Sequence, residues 1–546
     1  NEALDLANIP KAGQLPAPAR IVEEAVVGPS LGRAAVESGM NSFILAFILV
    51  LAYMIVYYSR AGLVANFALI SNMFFLFGVL ASLGAVLTLP GMAGIVLTLG
   101  MAVDANVIIY ERIKEEIRAG KGLRLAITDG YQNAYSAIID GNVTTLLTGI
   151  VLYVFGTGPV QGFATTLIIG ILSSLFSAIF ISRMIFTWML NTNKKISFST
   201  KLTANVLANT NFNFIHARKK AYVISLILII ISLGSLFTKG LNFGIDFTGG
   251  RTYVIRFDRD IDTEEARKIL TSEFDNNAPE VKTFGANSQI KVTTKYLIDD
   301  DGAEVDSIIQ VKLHNGLNTF YSQKIEYIDF SSHTEGENKL LGILSSQKIG
   351  PTIAYDIRTK AYFAIFFALI IIFIYIAIRF RKWQYGLAGV AAVFHDTLIT
   401  MGLFSIFYGI LPFSMEIDQA FIAAILTIIG YSINDTVIIF DRIRENTQLF
   451  PKHTIKSNIN VGLNSTLART INTSGTTLVV LLVIFIFGGE VIRGFIFALL
   501  VGVLVGTYSS LFTASPIAYD LLGGDKDEKV NFEKEARLKS KKGKKK

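Results

Sequence analysis

Long apolar stretches alternate with short polar ones along most of the chain. A helix needs about 20 mainly apolar residues to cross the hydrocarbon core of a bilayer. Eleven stretches come close to that length, five in the first part of the chain and six in the second: 41–58, 64–87, 92–111, 137–156 and 160–188, then 221–238, 360–378, 385–410, 417–440, 468–488 and 491–515. The pattern predicts an all-α polytopic membrane bundle.

One long polar segment, 242–350, interrupts the predicted spans. Within it Tyr253, Ile255 and Phe257 alternate with other residues at the period of a half-buried strand. Asp262-Thr-Glu-Glu265 has the form of a capping box that opens a helix. Further strands are predicted at 280–285, 288–295 and 324–330, and a second helix at 303–321. This βαββαβ order predicts a small α+β domain of ferredoxin-like type.

The composition supports a membrane protein. The chain has 546 residues, of which 51% are hydrophobic and 17% charged, and its mean hydropathy is +0.49. Such values lie outside the range of soluble globular domains. The sequence contains no cysteine, which excludes disulfides and thiolate metal sites. The net charge of +7 comes from short loops and the C-terminal tail, so we expect contact with the lipid bilayer and no binding of nucleic acid.

Among the short connections between the predicted spans, basic residues fall in alternate ones. The other connections, 88–91, 157–159, 411–416 and 489–490, contain no Lys or Arg. The positive-inside rule therefore predicts that the basic loops and the C-terminus are cytoplasmic and that the polar domain lies outside. The chain begins at Asn1 within a polar segment that leads into a span, so we expect it to be part of a longer protein. One more span before it would give six spans in each part.

The two parts of the chain are copies of one pattern. The stretch Gly100–Glu116 reappears as Gly430–Asn446 at a shift of 330 positions. Further matches relate Thr144-Thr145 to Thr476-Thr477, Gly162 to Gly494, and Val27-Gly-Pro-Ser30 to Ile349-Gly-Pro-Thr352. Both copies have the same orientation, which predicts a parallel repeat with a pseudo-twofold axis along the membrane normal. Many transporters place an ion site between such halves.

Each copy carries an aspartate in the middle of its apolar run, Asp104 in the first and Asp435 in the second. A charge at that depth costs about 3 kcal/mol or more, so both are candidates for ion coupling. The simpler alternative is a buried aspartate held by Ser, Thr or backbone groups for packing. When the two copies are aligned, Asp104 corresponds to Asn434 and Asp435 corresponds to Ala105. The two carboxylates are therefore offset by one position.

Arg469 begins the span 468–488, whose first half is polar. Because 478–487 alone is too short to cross a bilayer, the polar turn must enter the hydrocarbon and draw Arg469 inward. We therefore predict an ion pair between Arg469 and Asp435, in which a moving guanidinium changes the proton affinity of the carboxylate. The alternative is an arginine that snorkels to the interface and only orients its helix. Ala137 occupies the equivalent place in the first copy.

Other polar motifs are weaker candidates. His395 and Asp396 lie near the middle of the span 385–410, where they could relay protons toward Asp435 or form an ordinary satisfied pair. Two further pairs, Glu111-Arg112 and Asp441-Arg442, fall at helix ends and are interpreted as interfacial anchors or salt bridges. The GxxxG step Gly502-Val-Leu-Val-Gly506 predicts close helix packing.

Enzymatic chemistry has no support in the sequence. It contains no phosphate-binding Gly-x-x-x-x-Gly-Lys-Ser/Thr loop, and no His/Glu spacing suggests a metal hydrolase. We expect a protein that is not an enzyme and has neither a cofactor nor a bound metal. Its coupling ion would be a proton or sodium, since carboxylates with Ser/Thr neighbours suit either.

Several of these motifs resemble the signatures of one family. Gly100–Glu116 and Gly430–Asn446 resemble the SecD and SecF signatures of the bacterial protein-export machinery, and Pro16–Glu24 with Val27–Gly32 resembles the SecD segment that enters its second span. Asn242–Gly250 (NFGIDFTGG) resembles the segment after the first SecF span. The similarity covers essentially the whole chain and suggests a fused SecDF protein that lacks the first SecD span and its large external domain.

The resemblance implies a domain order and a function. The expected parts are a tail of the missing SecD external domain (1–40), five SecD-half spans (41–190), a cytoplasmic linker (191–220), the first SecF span (221–241), the SecF external domain (242–350), five SecF-half spans (351–515) and a basic cytoplasmic tail (516–546). SecDF proteins resemble exporters of the RND superfamily and use a proton or sodium gradient to help draw polypeptide across the inner membrane.

Partners and site residues also follow from the resemblance. The implied partners are the SecYEG translocon, a YidC-type insertase and the translocating unfolded polypeptide. By position, Asp104 matches the SecD-half aspartate of the ion pathway, and Asp435 and Arg469 match the aspartate and arginine of the SecF half. Two other functions stay open: an RND-type exporter of small molecules or lipids, and a passive scaffold that recruits the translocon.

Overall fold

The computed structural model describes residues 23–27, 29–85, 88–207, 210–300, 304–332, 341–524 and 526. The proline-rich start of the chain and most of the basic C-terminal tail, on which parts of the sequence analysis rest, lie outside these residues. The described chain divides into two compact units, one built mainly around residues 243–358 and one that contains the long helices.

Eleven helices of the described residues are long and apolar enough to cross a membrane, which confirms the predicted number. The first six are α1 (Pro29–Tyr58), α2 (Arg60–Ser82), α3 (Leu89–Arg118), α4 (Leu123–Phe155), α5 (Gly158–Asn191) and α6 (Phe214–Thr238). Most of them continue past the predicted apolar stretch into polar turns. Helix α4 begins 14 residues before the predicted span at 137, because a helix satisfies its own backbone hydrogen bonds in polar turns as well as in its apolar part.

The soluble unit follows α6. Its elements are β2 (Gly250–Arg256), α7 (Thr263–Glu273), β3 (Glu280–Phe284), β4 (Ala286–Thr294), α8 (Val305–Leu317) and β5 (Gly342–Ile349), with β1 (Glu23–Val27) contributed from the start of the described chain. The strand order is β1-β5-β2-β4-β3, with every neighbouring pair antiparallel. The two helices contribute Leu270 and Leu313 to the core beside the sheet residues Ile255 and Ile290. The predicted ferredoxin-like order is therefore present.

Two details of this domain differ from the sequence prediction. Residues 324–330 are not a strand; Tyr327–Ser331 forms a short helix, and the last strand is β5. Tyr327 and Phe330 are three residues apart, a spacing that puts both on one face of a helical turn. The other difference is β1, a five-residue strand that extends the sheet by pairing with β5.

The remaining helices complete the bundle: α9 (Pro351–Phe380), α10 (Trp383–Phe407), α11 (Gln419–Leu449), α12 (Ile455–Phe487) and α13 (Glu490–Leu521). Side-chain caps fix several helix starts. Asp418 accepts a hydrogen bond from the backbone N–H of Phe421 at 2.7 Å, and Thr454 accepts one from Ser457 at 3.2 Å. These caps satisfy donors that the first turn leaves free.

The repeat in the sequence is a repeat in the structure. Helices α3, α4 and α5 correspond to α11, α12 and α13, and both α5 and α13 contain a single π-helical turn, at Ser177–Ile181 and Ser510–Ala514. The halves interlock symmetrically, since α4 packs on α11 and α12 packs on α3. The predicted GxxxG step brings α13 close to α11: a Cβ added at Gly502 would lie 2.2 Å from Ile428 Cγ1.

Candidate functional site

The guanidinium of Arg469 lies between the two aspartates that the sequence singled out. Its Nη2 is 3.0 Å from Oδ1 and 3.3 Å from Oδ2 of Asp104, and 3.6 Å from Oδ1 of Asp435. All three side chains are buried. The predicted contact of Arg469 with Asp435 is confirmed, and the shorter contact is to Asp104. We call these three residues the central cluster.

The central cluster lies at the junction of the two halves. Asn434 occupies the position of Asp104 in the other copy, and its Nδ2 donates to Asp104 Oδ2 at 3.0 Å. Residues related by a twofold axis can touch only where both are close to that axis. The contact therefore places the cluster at the pseudo-twofold axis, enclosed between α3 and α11.

Small residues allow the halves to approach this closely. A Cβ added at Gly141 of α4 would lie 1.9 Å from Asn434 Oδ1. The glycines that begin the two repeated stretches act in the same way. An added Cβ at Gly100 would lie 3.1 Å from Thr477 Oγ1, and one at Gly430 would lie 2.4 Å from Thr148 Oγ1.

Arg469 is a buried residue within a long helix rather than an interfacial one. Helix α12 begins at Ile455, well before the predicted span, so Arg469 lies nearly four turns inside it. The residue is only 4% exposed. An arginine that snorkels to the interface is therefore excluded, and the inward placement that the polar turn predicted is confirmed.

The charges of the central cluster do not balance. Two carboxylates face one guanidinium, so the cluster carries a formal charge of −1 when all three groups are ionised. Asp435 has one further contact, from Ser474 Oγ at 3.5 Å, and Ser474 in turn accepts from Thr507 Oγ1 at 2.7 Å. An uncompensated charge is costly in a low-dielectric interior. Binding of one proton or one monovalent cation would neutralise this charge.

Several polar atoms around the cluster lack a partner within the described part of the chain. They are Nε and Nη1 of Arg469 and Oδ1 of Asn434. Buried polar groups are nearly always hydrogen-bonded to protein or ordered water. The two N–H groups would therefore stabilise water or another arrangement of the carboxylates, whereas the amide oxygen of Asn434 would accept a hydrogen bond from water.

His395 and Asp396 form a second buried polar group. Nδ1 of His395 is 2.9 Å from Asp396 Oδ1, and its Nε2 is 3.0 Å from Ser225 Oγ. Asp396 Oδ2 accepts from Ser432 and Ser509 at 2.6 and 2.7 Å. Ser432 lies one turn before Asp435 on α11, so this group adjoins the central cluster. The geometry describes a well-satisfied network, and its role as a proton relay stays a prediction.

Of the two helix-end pairs, the arginines form salt bridges across the junction, whereas Glu111 pairs with Lys114 and Asp441 with Arg444 on their own helices. Arg112 contacts Glu445 at 2.5 Å and Glu115 at 2.8 Å. Arg442 contacts Glu115 and Glu445, both at 2.9 Å. We call Arg112, Glu115, Arg442 and Glu445 the charge quartet.

The sequence analysis missed a buried ion pair that joins the two halves. Asp140 of α4, only 4% exposed, lies 2.6 Å from Arg379 Nε and accepts from Tyr375 Oη at 3.0 Å. Arg379 falls in the basic connection between the predicted spans 360–378 and 385–410. The signal that could have revealed the pair is the register of the repeat, which sets Asp140 against the buried Asn472.

Fold and site together define a class: a polytopic membrane protein of two repeated halves with a charged cluster buried at their junction. The family model for the protein export membrane protein SecD/SecF, C-terminal, matches residues 12–192 and 331–523, and that for the SecD/SecF GG motif matches residues 234–261. The chain belongs to this SecD/SecF family of protein export membrane proteins.

Individual relatives agree with this assignment. The chain is 45% identical over 317 residues to the protein translocase subunit SecF of Rhodothermus marinus, covering 58% of this chain and 95% of the relative. It is 35% identical over 523 residues to the protein translocase subunit SecDF of Thermus thermophilus, covering 94% of this chain and 66% of that protein. The chain thus spans about two thirds of the length of this fused relative.

A solved structure confirms the fold. The crystal structure of SecDF, a translocon-associated membrane protein from Thermus thermophilus, matches with a TM-score of 0.82 at 34% identity. The match covers 96% of this chain and 67% of that one. The predicted fold class, a helical membrane bundle with a small α+β domain, is therefore correct.

Proposed function

We propose that the chain forms the membrane part of an auxiliary subunit of the Sec translocase that uses a proton or sodium gradient to promote polypeptide export. The coupling ion is taken up at Asp104 and Asp435 and is displaced or admitted as Arg469 moves between them. The proposed work is transport, and it needs no cofactor besides the ion.

The observation that carries this proposal is the charge imbalance of the central cluster. With one guanidinium for two carboxylates, uptake of one cation neutralises the site, and its release restores a charge of −1. Each change alters how strongly Arg469 of the second half is held by Asp104 of the first half, now 3.0 Å away. A site of this kind converts ion binding into a bias on the relative position of two halves.

The proposed orientation follows from the basic loops. By the positive-inside rule, the ends of α3 and α11 that carry the charge quartet face the cytoplasm, as does the C-terminus. The soluble unit of residues 243–358 is then periplasmic, in a bacterial inner membrane. There it could contact a polypeptide that emerges from the SecYEG translocon, with a YidC-type insertase as a further partner.

The proposal is tested by Asp435→Asn in inverted membrane vesicles that contain the translocon. We expect loss of the gradient-dependent part of export of a secreted reporter, with the protein inserted and abundant. Asp356→Asn, which makes the same chemical change at an exposed carboxylate, serves as the matched control and should leave export unchanged. A passive scaffold predicts instead that both variants export normally, and that result would refute the proposal.

A further inference from the structure

A small cavity lies between the charge quartet and the central cluster. Its volume is about 60 Å³, and its lining includes all four quartet residues together with Ala137 and Arg469. That volume holds a few water molecules. Arg469 lines the inner end of this cavity, and two of its N–H groups have no partner among the described residues. The cavity therefore connects the buried guanidinium with the layer of charges at the helix ends.

Every arginine of the charge quartet has two partners, one in each half. Arg112 pairs with Glu115 on its own helix and with Glu445 on the other half. Arg442 pairs with Glu445 on its own helix and with Glu115 on the other half. If the halves separate at this layer, each arginine keeps the partner on its own helix.

This double pairing makes separation inexpensive. Breaking a buried ion pair is costly mainly because it leaves one charge without a partner, and here no charge is left alone. Arg379 repeats the arrangement, since it contacts Asp140 of the other half and also lies 3.9 Å from Asp441 of its own half. The ion pairs between the halves therefore hold this layer closed, and each arginine keeps a carboxylate in its own half when those pairs break.

We propose that the charge quartet is the gate through which the coupling cation passes between the side of the basic loops and the central cluster, with the cavity as the path behind it. This inference rests on the proposed function, because it assigns the access route of the same site. The lining has four carboxylates, with Glu111 and Asp441 beside the quartet glutamates, against three guanidinium groups. This excess of one negative charge favours the passage of a monovalent cation or a proton.

Charge exchanges test the gate, because they can reverse the pairs between halves and the pairs within a helix separately. In Arg112→Glu/Glu445→Arg both pairs between halves keep opposite charges, whereas both pairs within a helix become like-charged. The gate should stay shut. In Arg112→Glu/Glu115→Arg both pairs within a helix keep opposite charges, whereas both pairs between halves become like-charged. The gate should then stand open. The fourfold exchange, which adds Arg442→Glu and Glu445→Arg to the second variant, restores every pair.

Access to the cavity can be measured directly because the chain contains no cysteine. A single Ala137→Cys reporter in the cavity lining is labelled with a membrane-impermeant maleimide on inverted vesicles. Relative to the reporter in the otherwise unchanged chain, we expect labelling to be about tenfold slower in the shut variant and about tenfold faster in the open one. It should return to the starting rate in the fourfold exchange. Ala119→Cys, at an exposed turn, should label equally in all of them.

The outcomes separate this inference from the proposed function. Equal labelling of Ala137→Cys in the shut and open variants, with the Ala119→Cys control constant, would overturn the gate even if Asp435→Asn abolishes export. If export survives Asp435→Asn but the labelling rates follow the charge exchanges, the gate stands and its link to export fails. Should a double exchange fail to accumulate, Arg112→Gln and Arg442→Gln each remove one pair between halves and must speed labelling; unchanged rates would refute the gate.

Discussion

Asn434 donates a hydrogen bond to Asp104 across 3.0 Å, although the two residues occupy the same position in the two halves of the chain. A fold with perfect symmetry would place two identical side chains there. The chain instead has one carboxylate and one amide, and it displaces its second carboxylate, Asp435, by one residue along α11. The junction is therefore asymmetric where the halves are otherwise most alike.

The first prediction concerns this pair. Asn434→Asp sets two carboxylates within hydrogen-bond distance, and both cannot be ionised at little cost. We expect thermal stability in detergent to fall at pH 8 and to recover as the pH is lowered, because one shared proton relieves the repulsion. Asn434→Ser adds no charge, so its stability should show no extra dependence on pH. A deficit of Asn434→Asp that does not change with pH would contradict this assignment.

Gly141→Ala should affect the site rather than the fold. The new Cβ would lie 1.9 Å from Asn434 Oδ1, which is the end of a flexible side chain that can move away. We expect a stability loss of no more than about 1–2 kcal/mol together with a clear fall in gradient-dependent export, because Asn434 no longer holds Asp104. Gly475→Ala on α12, where no atom lies within 4 Å of the added Cβ, is the control and should leave export unchanged. Export that is unaffected by Gly141→Ala would show that the hydrogen bond to Asp104 has no functional role.

Removing Arg379 should cost more unfolding free energy than removing its buried partner Asp140. Arg379→Gln leaves a carboxylate buried with Tyr375 as a neutral partner, whereas Asp140→Asn leaves Arg379 free to pair with Asp441. We expect Arg379→Gln to cost about 3 kcal/mol of unfolding free energy and Asp140→Asn clearly less. The double variant should recover most of the loss. Denaturant unfolding of the purified protein measures all three, and equal costs for the two single variants would show that Asp441 does not act as a substitute.

The soluble unit should lose one contribution to its stability in acid. The Tyr296 hydroxyl donates to Asp275, with Lys312 nearby, and lowers the pKa of that carboxyl below its usual value. A lowered pKa in the folded state stabilises the fold above the unfolded pKa of about 3.9, and this contribution is lost as the pH falls through the folded pKa. Calorimetry of Tyr296→Phe and the unchanged protein should thus show a difference at pH 6 that closes toward pH 2. A difference that persists in acid would mean that the hydroxyl acts in some other way.

Much of the membrane unit could be predicted because the bilayer imposes a simple length rule. The eleven spans follow from it, and the depth of Arg469 follows from the shortness of 478–487. The repeat follows separately, from the match of Gly100–Glu116 with Gly430–Asn446. The closer approach of Arg469 to Asp104 than to Asp435 could not be predicted in the same way. A residue count gives the level of Asp104 and Asp435 along their helices, but the distances to Arg469 depend on how α12 packs between α3 and α11.

Each feature that the sequence analysis missed has a physical cause. Strand β1 has five residues and gains its place from hydrogen bonds to β5, a partner more than 300 positions away. Residues 324–330 carry enough apolar side chains to suggest a strand, yet Phe330 is buried through a helical turn. Arg379 stands beside other basic residues and looked like part of a loop, because its buried partner lies in the other half of the chain.

The most direct measurement is the protonation state of the central cluster, followed by difference infrared spectroscopy of the carboxyl stretch as the pH is changed. The account predicts a protonated-carboxyl band that sodium suppresses if sodium is the coupling ion, and that is lost in Asp104→Asn/Asp435→Asn. The same band in that double variant, or carboxylates that change with neither pH nor sodium, would contradict the claim that this cluster takes up the ion.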